Sequence, residues 1–177
     1  MSKKIVHVVG TGTIGEPLIG LLCDFKEQLG IDHVTFHKNT PLTTDRSKVI
    51  SLTRRGARLS THNDKFEGFK AIGLKPEYST EEAIERASVV IDCTPSGFGH
   101  DNKGKYYDEF SNNTLGFVAQ GSEFGFGKPY ARGINDQTLI KGEDQFIQVV
   151  SCNTHNLSTL VDTIALSEGE DNLMDGR

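Results

Sequence analysis

The chain has 177 residues, of which 36% are hydrophobic and 24% charged, enough to bury one substantial core. Its net charge of −5, with acids and bases interspersed, argues against nucleic acid as a main partner. No apolar run has membrane length, and no signal peptide precedes the first strand. Cys23, Cys93 and Cys152 lack metal or disulfide spacing, so a cytoplasmic protein with reduced thiols and no membrane association is expected.

The first element is an apolar run, Lys4 to Val9, suited to a strand buried on both faces. Gly10-Thr11-Gly12-Thr13-Ile14-Gly15 follows at once, and a helical pattern begins there, with Ile14, Leu18, Leu21, Leu22 and Phe25 at helical spacing. Pro17 lies in the first turn, where its absent N–H is no loss. Strand, G-x-G-x-x-G and helix form the context of a dinucleotide fingerprint. Gly10 would permit the tight turn, Gly12 the approach of backbone to a pyrophosphate, and Gly15 the packing of helix on strand. A second strand, Asp32 to His37, ends about 20 residues on, where NAD-specific folds usually carry an acid for the ribose. This chain has Lys38 there and no carboxylate, so NADP is expected to bind at least as well as NAD.

Residues 42–55 read as a helix closed by Gly56, with Arg54, Arg55 and Arg58 at its favourable end. Arg58 to Ser60 and Ala71 to Leu74 are weak strand candidates. Ser79-Thr80-Glu81-Glu82 is a capping box opening a helix to about Ala87. Val89 to Cys93 is a buried strand ending in the loop Thr94-Pro95-Ser96-Gly97-Phe98-Gly99. Open α/β sheets place ligands in such loops. Cys93 has no helix start or basic neighbour to activate it and reads as a structural thiol. Leu115 to Gln120 is a further strand, stopping at Gly121-Ser122. This alternation predicts an α/β fold of Rossmann type: a mostly parallel sheet, right-handed crossovers and helices on both faces.

The last strand, Gln145 to Ser151, runs into Cys152 and a helix from Asn153 to about Leu166. A thiol at a helix N-terminus faces unpaired N–H groups and the positive end of the dipole, and both favour a nucleophilic thiolate. Leu157, Leu160, Val161 and Ile164 form one apolar stripe, to be covered by a second domain or packed on the chain's own sheet. His155 reads as a surface histidine rather than a base for Cys152. His7 reads as a satisfied core histidine. His33, His62 and His100 form no spaced cluster, so no metal site is proposed.

These motifs resemble the archaeal-type (type II) glyceraldehyde-3-phosphate dehydrogenases over nearly the whole chain. The resemblance rests on Gly10 to Gly15, Lys38 with Pro41, Arg54-Arg55-Gly56, Asp92-Cys93-Thr94-Pro95 with Gly97 and Gly99, Gln120-Gly121, and Val149 to Thr154. It implies that Cys152 attacks the aldehyde to give a thiohemiacetal, that hydride passes to NADP or NAD, and that phosphate releases the thioester as an acyl phosphate. Ser151, Asn153 and Thr154 would line the substrate or phosphate pocket. Gly10, Gly12, Thr13, Ile14, Gly15, Lys38, Thr94, Pro95 and Gly121 would hold the cofactor. The family carries a second, catalytic domain after this helix, which supplies a histidine. By that resemblance residues 1–151 form the NAD(P)-binding domain, and residues 152–177 the active-site helix and the start of a truncated catalytic domain. The full-length enzyme would be a glycolytic homotetramer acting on glyceraldehyde 3-phosphate, and the 177 residues alone would turn over little or nothing. Two other readings remain: another acylating semialdehyde dehydrogenase, and an NAD(P)-binding module without chemistry.

Overall fold

The computed structural model describes residues 3–166. Eight strands appear in chain order: β1 (Ile5–Val9), β2 (His33–His37), β3 (Arg58–Thr61), β4 (Tyr78–Ser79), β5 (Val89–Asp92), β6 (Gly116–Ala119), β7 (Lys128–Tyr130) and β8 (Phe146–Val149). They form one sheet in the order β4-β3-β2-β1-β5-β6-β8-β7, and every neighbouring pair is parallel. A wholly parallel sheet needs cover on both faces, which is why its central strands are near-continuous apolar runs. All five residues of β1 are buried. The strand order reverses between β1 and β5, and at such a switch point the connecting loops diverge and leave a crevice.

The described residues hold six α-helices: α1 (Gly15–Asp24), α2 (Arg46–Arg54), α3 (Phe66–Ala71), α4 (Thr80–Glu85), α5 (Phe98–Asn102) and α6 (Cys152–Leu160). Two cores flank the sheet, and alternation along β1 divides its residues between them. Val6 and Val8 join Ile19, Phe36, Leu59 and Phe69 in one. Val9 joins Val90, Tyr107, Phe117 and Phe126 in the other. There Phe117 stacks on Phe146 with centroids 4.9 Å apart and on Tyr107 at 5.0 Å.

The structure corrects two readings. Ala71 to Leu74 is not a strand. It is the end of α3 and a turn through Gly73 at φ +74°. Phe69 anchors this short helix in the core, and the edge strand is the two-residue β4 instead. The buried stripe of α1 is also rotated from the expected one. Ile14, Leu21 and Phe25 are exposed, while Gly15, Ile19, Gly20, Leu22 and Cys23 face inward. The helix packs through its glycines, a surface that hydrophobicity does not register. A Cβ on Gly20 would stand 2.2 Å from the Arg55 guanidinium, which crosses there to pair with Asp24. That ion pair accounts for one of the clustered arginines, and a contact of Arg58 with Glu77 accounts for another.

Other readings hold. Gly56 ends α2 at φ +98°. The capping box is complete, with Glu82 N donating to Ser79 Oγ at 3.1 Å and Ser79 N donating to the Glu82 carboxylate at 2.9 Å. None of the residues of α6 is buried. Leu157 and Ile164 of the predicted stripe are 64% and 73% exposed, so the stripe does not pack on this chain's own sheet. The polar run from Gly169 to Arg177 lies outside the described residues. Among the described residues no helix is long and apolar enough to cross a membrane.

Candidate active site

The carboxyl ends of β1, β5, β6 and β8 open onto two cavities separated by Ile14, Cys93 and Gln120, which line both. The first, about 710 Å³, is walled by Gly10 to Ile14, Lys38, Thr94 and Pro95. The three glycines act differently there. Gly10 turns at φ +100°, and a Cβ on it would meet the Cys93 carbonyl at 2.9 Å. A Cβ on Gly15 would stand 2.1 Å from the Gly10 carbonyl, so this residue permits loop and helix to close on each other. Gly12 faces open space, with nothing within 4 Å of the same position. No side chain caps α1 at Ile14. A bare helix start beside an open glycine is a cradle for a phosphate group.

The second cavity, about 440 Å³, runs from Ile14 past Gly121 and Ser122 to Ser151 and Cys152. Cys152 is exposed and opens α6. Ser151 caps the helix, its Oγ accepting from Thr154 N at 3.2 Å and lying 2.9 Å from Thr154 Oγ1. A Cβ on Gly121 would stand 2.4 Å from Ser151 N, so the glycine lets the β6 loop lie against the start of α6. The structure thus brings Gly121, Ser151 and Cys152 together. Gly15 lies behind the loop as a packing residue. Asn153 and Thr154 line neither cavity, and Thr154 serves the cap. His155 donates through Nε2 to the Arg132 carbonyl at 3.0 Å, tying α6 to the segment after β7. Among the described residues no cluster of three or more His, Cys, Asp or Glu is placed to hold a metal.

Of four residues that frame these cavities, Asp92 entered the sequence reading only as part of a motif, and Glu123, Asp45 and Lys48 did not enter it. Asp92, buried at the end of β5, accepts from Thr94 N at 2.9 Å, Asn102 Nδ2 at 2.9 Å and Tyr107 OH at 2.5 Å. Burial and this carboxylate push the Tyr107 phenol well up. Glu123 is fully buried and accepts from Gly97 N at 2.7 Å and His100 N at 3.1 Å, so it pins the β5 loop from across the crevice. Asp45 and Lys48 stand on the wall of the first cavity. An acid closing an apolar strand was the available signal for Asp92. The other three depend on loop geometry.

Cys23 and Cys93 are buried and Cys152 is exposed. Burial, with Asp92 beside it, pushes Cys93 up to about 12, which suits an inert structural role. Burial also raises Cys23. His7 is fully buried, with Nδ1 2.7 Å from Thr35 Oγ1, but Nε2 has no partner among the described residues. It is a core histidine, half satisfied.

The glyceraldehyde-3-phosphate dehydrogenase of Pyrobaculum islandicum is 27% identical over 164 residues, covering 92% of this chain and 44% of that protein. That of Pyrobaculum arsenaticum is 28% identical over 165 residues, and that of Archaeoglobus fulgidus 28% over 167. The chain is similar along nearly its whole length to archaeal glyceraldehyde-3-phosphate dehydrogenases. It spans less than half the length of these relatives. No family model matches it.

Proposed function

We propose that the chain is the NAD(P)-binding portion, through the active-site cysteine, of a phosphorylating glyceraldehyde-3-phosphate dehydrogenase. The observation that carries this is the placement of an exposed cysteine at the start of a helix, in a cavity that shares a wall with the glycine-loop cavity. Gly10, Gly12, Thr13, Ile14, Lys38, Thr94 and Pro95 would hold the nucleotide, with Gly15 and Gly121 shaping its bed. When bound, the nicotinamide supplies a hydride acceptor. Cys152 Sγ adds to the aldehyde carbon to form a thiohemiacetal. With the nucleotide bound, loss of hydride from that carbon and of the proton from its hydroxyl to solvent would leave a thioester on Cys152. Inorganic phosphate then attacks the thioester carbonyl, breaks the C–S bond and leaves as the acyl phosphate. Ser151 holds Cys152 at the first position of α6 through its cap. The similarity to enzymes more than twice as long supports reading the exposed stripe of α6 as a face that meets further protein; a homo-oligomer is proposed as the working form.

The test is alkylation by iodoacetamide, read by peptide mass spectrometry. Cys152 should be labelled, and glyceraldehyde 3-phosphate or the nucleotide should slow the labelling. Labelling indifferent to both ligands would contradict the reading and favour a binding module without chemistry.

A further inference from the structure

We propose that Asp45, not Lys38, decides which coenzyme enters the glycine-loop cavity, and that it selects the free ribose 2′-hydroxyl of NAD over the 2′-phosphate of NADP. The inference rests on the nucleotide reading above and reverses the expectation drawn from Lys38 alone. Lys38 does stand at the end of β2, but its Nζ is 2.6 Å from Asp45 Oδ2, and its side chain is only 10% exposed. The turn Thr43–Asp45 before α2 brings this carboxylate back onto the cavity wall. An acid is thus supplied from seven residues downstream of the position where such folds usually carry one.

The neighbouring charges reinforce the point. Lys48, on the same wall, pairs with Glu16 at 3.1 Å and donates to the Thr11 carbonyl at 3.4 Å. Each of the two lysines thus already holds a carboxylate, Asp45 on the wall and Glu16 beside it, and a phosphomonoester of charge about −1.5 to −2 would have to compete with these for them. That group would have to displace Asp45 from Lys38 or lie against it, and like charges in contact are penalised. A ribose hydroxyl instead donates to a carboxylate, which gains a bond without losing the ion pair. Asp45 occupies the N-cap position of α2, yet its side chain makes no capping bond, so the helix does not account for it. The Lys38 hydrogen bond holds Asp45 below the usual carboxylate range, and it stays charged at neutral pH.

The experiment is calorimetric titration of the 177-residue chain with NAD⁺, NADP⁺, AMP and 2′,5′-ADP, comparing wild type with Asp45→Asn, Asp45→Ala and Asp45→Asn/Lys38→Met, each checked for folding by circular dichroism. Wild type should prefer NAD⁺ over NADP⁺ and AMP over 2′,5′-ADP. Either single change should tighten 2′,5′-ADP by about tenfold while weakening NAD⁺ severalfold, so that the preference inverts, and the double change should cancel the gain. Two single variants keep the test open should one fold poorly. A wild type that prefers NADP⁺, or single variants whose NAD⁺ to NADP⁺ ratio stays within about twofold of wild type, would overturn the assignment of Asp45 while leaving nucleotide binding intact. Absence of binding by all four ligands to every variant would instead sink the nucleotide reading and this inference with it.

Discussion

Lowering the pH from about 7.5 to about 5 should destabilise this fold by about 4 kcal/mol, through two histidines that the folded chain keeps neutral. Burial lowers His7 to about 3, against a partly opposing hydrogen bond from Thr35. Burial, with His7, His62 and Lys38 as neighbours, lowers His37 to about 3. His37 Nδ1 has no partner among the described residues, and its ring meets that of His62 edge-on at 4.8 Å. In the unfolded chain each titrates near 6.5, so that state binds more protons as the pH falls. Stability from both is therefore fully present above about 6.5 and is lost progressively from there down toward about 3. At pH 5 each histidine lies about 1.5 pH units below its unfolded pKa, which costs about 2 kcal/mol. The sum is a large part of the 5–15 kcal/mol typical of a domain. Urea denaturation at pH 7.5, 6 and 5 measures it directly. His7→Gln should remove about half of the slope. A folding free energy that stays flat between pH 7.5 and 5 would refute the reasoning, since the carboxylates held low by their partners, such as Asp45 and Asp144, titrate only further down.

Glu123→Ala should cost about 2 kcal/mol or more, because it empties a fully buried position and removes the acceptor of the Gly97 and His100 amides, and a urea titration would detect it. Gly15→Ala forces a methyl onto the Gly10 carbonyl, so it should cost about 2 kcal/mol and weaken nucleotide binding through displacement of the loop, both measurable by ligand-dependent thermal shift. Ser151→Ala should lower the local stability of α6 by about 1 kcal/mol, seen as faster amide exchange in its first turn with little change in the sheet. Iodoacetamide under native conditions should label Cys152 alone, since Cys23 and Cys93 are buried, and equal labelling of all three would contradict the packing.

The parts of the fold legible in the sequence are those where one local rule dominates. Apolar runs such as Lys4–Val9 and Val89–Cys93 must be buried on both faces, and the structure places them as β1 and β5 at the centre of the sheet. The Ser79–Glu82 box carries its own hydrogen bonds, so it names its helix unaided. The rotation of α1 was hidden because its inner face is partly glycine, where closeness and not hydrophobicity supplies the contact. The stretch Ala71–Leu74 misled because its apolar residues serve a helix end and a turn, with Leu74 buried beyond them. In the site, Cys152, Ser151 and the glycine loop were legible, since helix starts and tight turns demand particular residue types. Asp45 and Glu123 were not, because their partners lie across loops: Lys38 seven residues away and Gly97 twenty-six.

In the proposed complex a nucleotide lies along Gly10–Gly15 with its far end beside Cys152. The most direct measurement is a titration of the isotopically labelled chain with NAD⁺, followed by backbone amide resonances. Saturable shifts are expected at Gly10, Gly12, Thr13, Ile14, Thr94, Gly121 and Cys152, with β4 and β7 silent. No shift at millimolar NAD⁺, or shifts confined to the face away from the glycine loop, would contradict it.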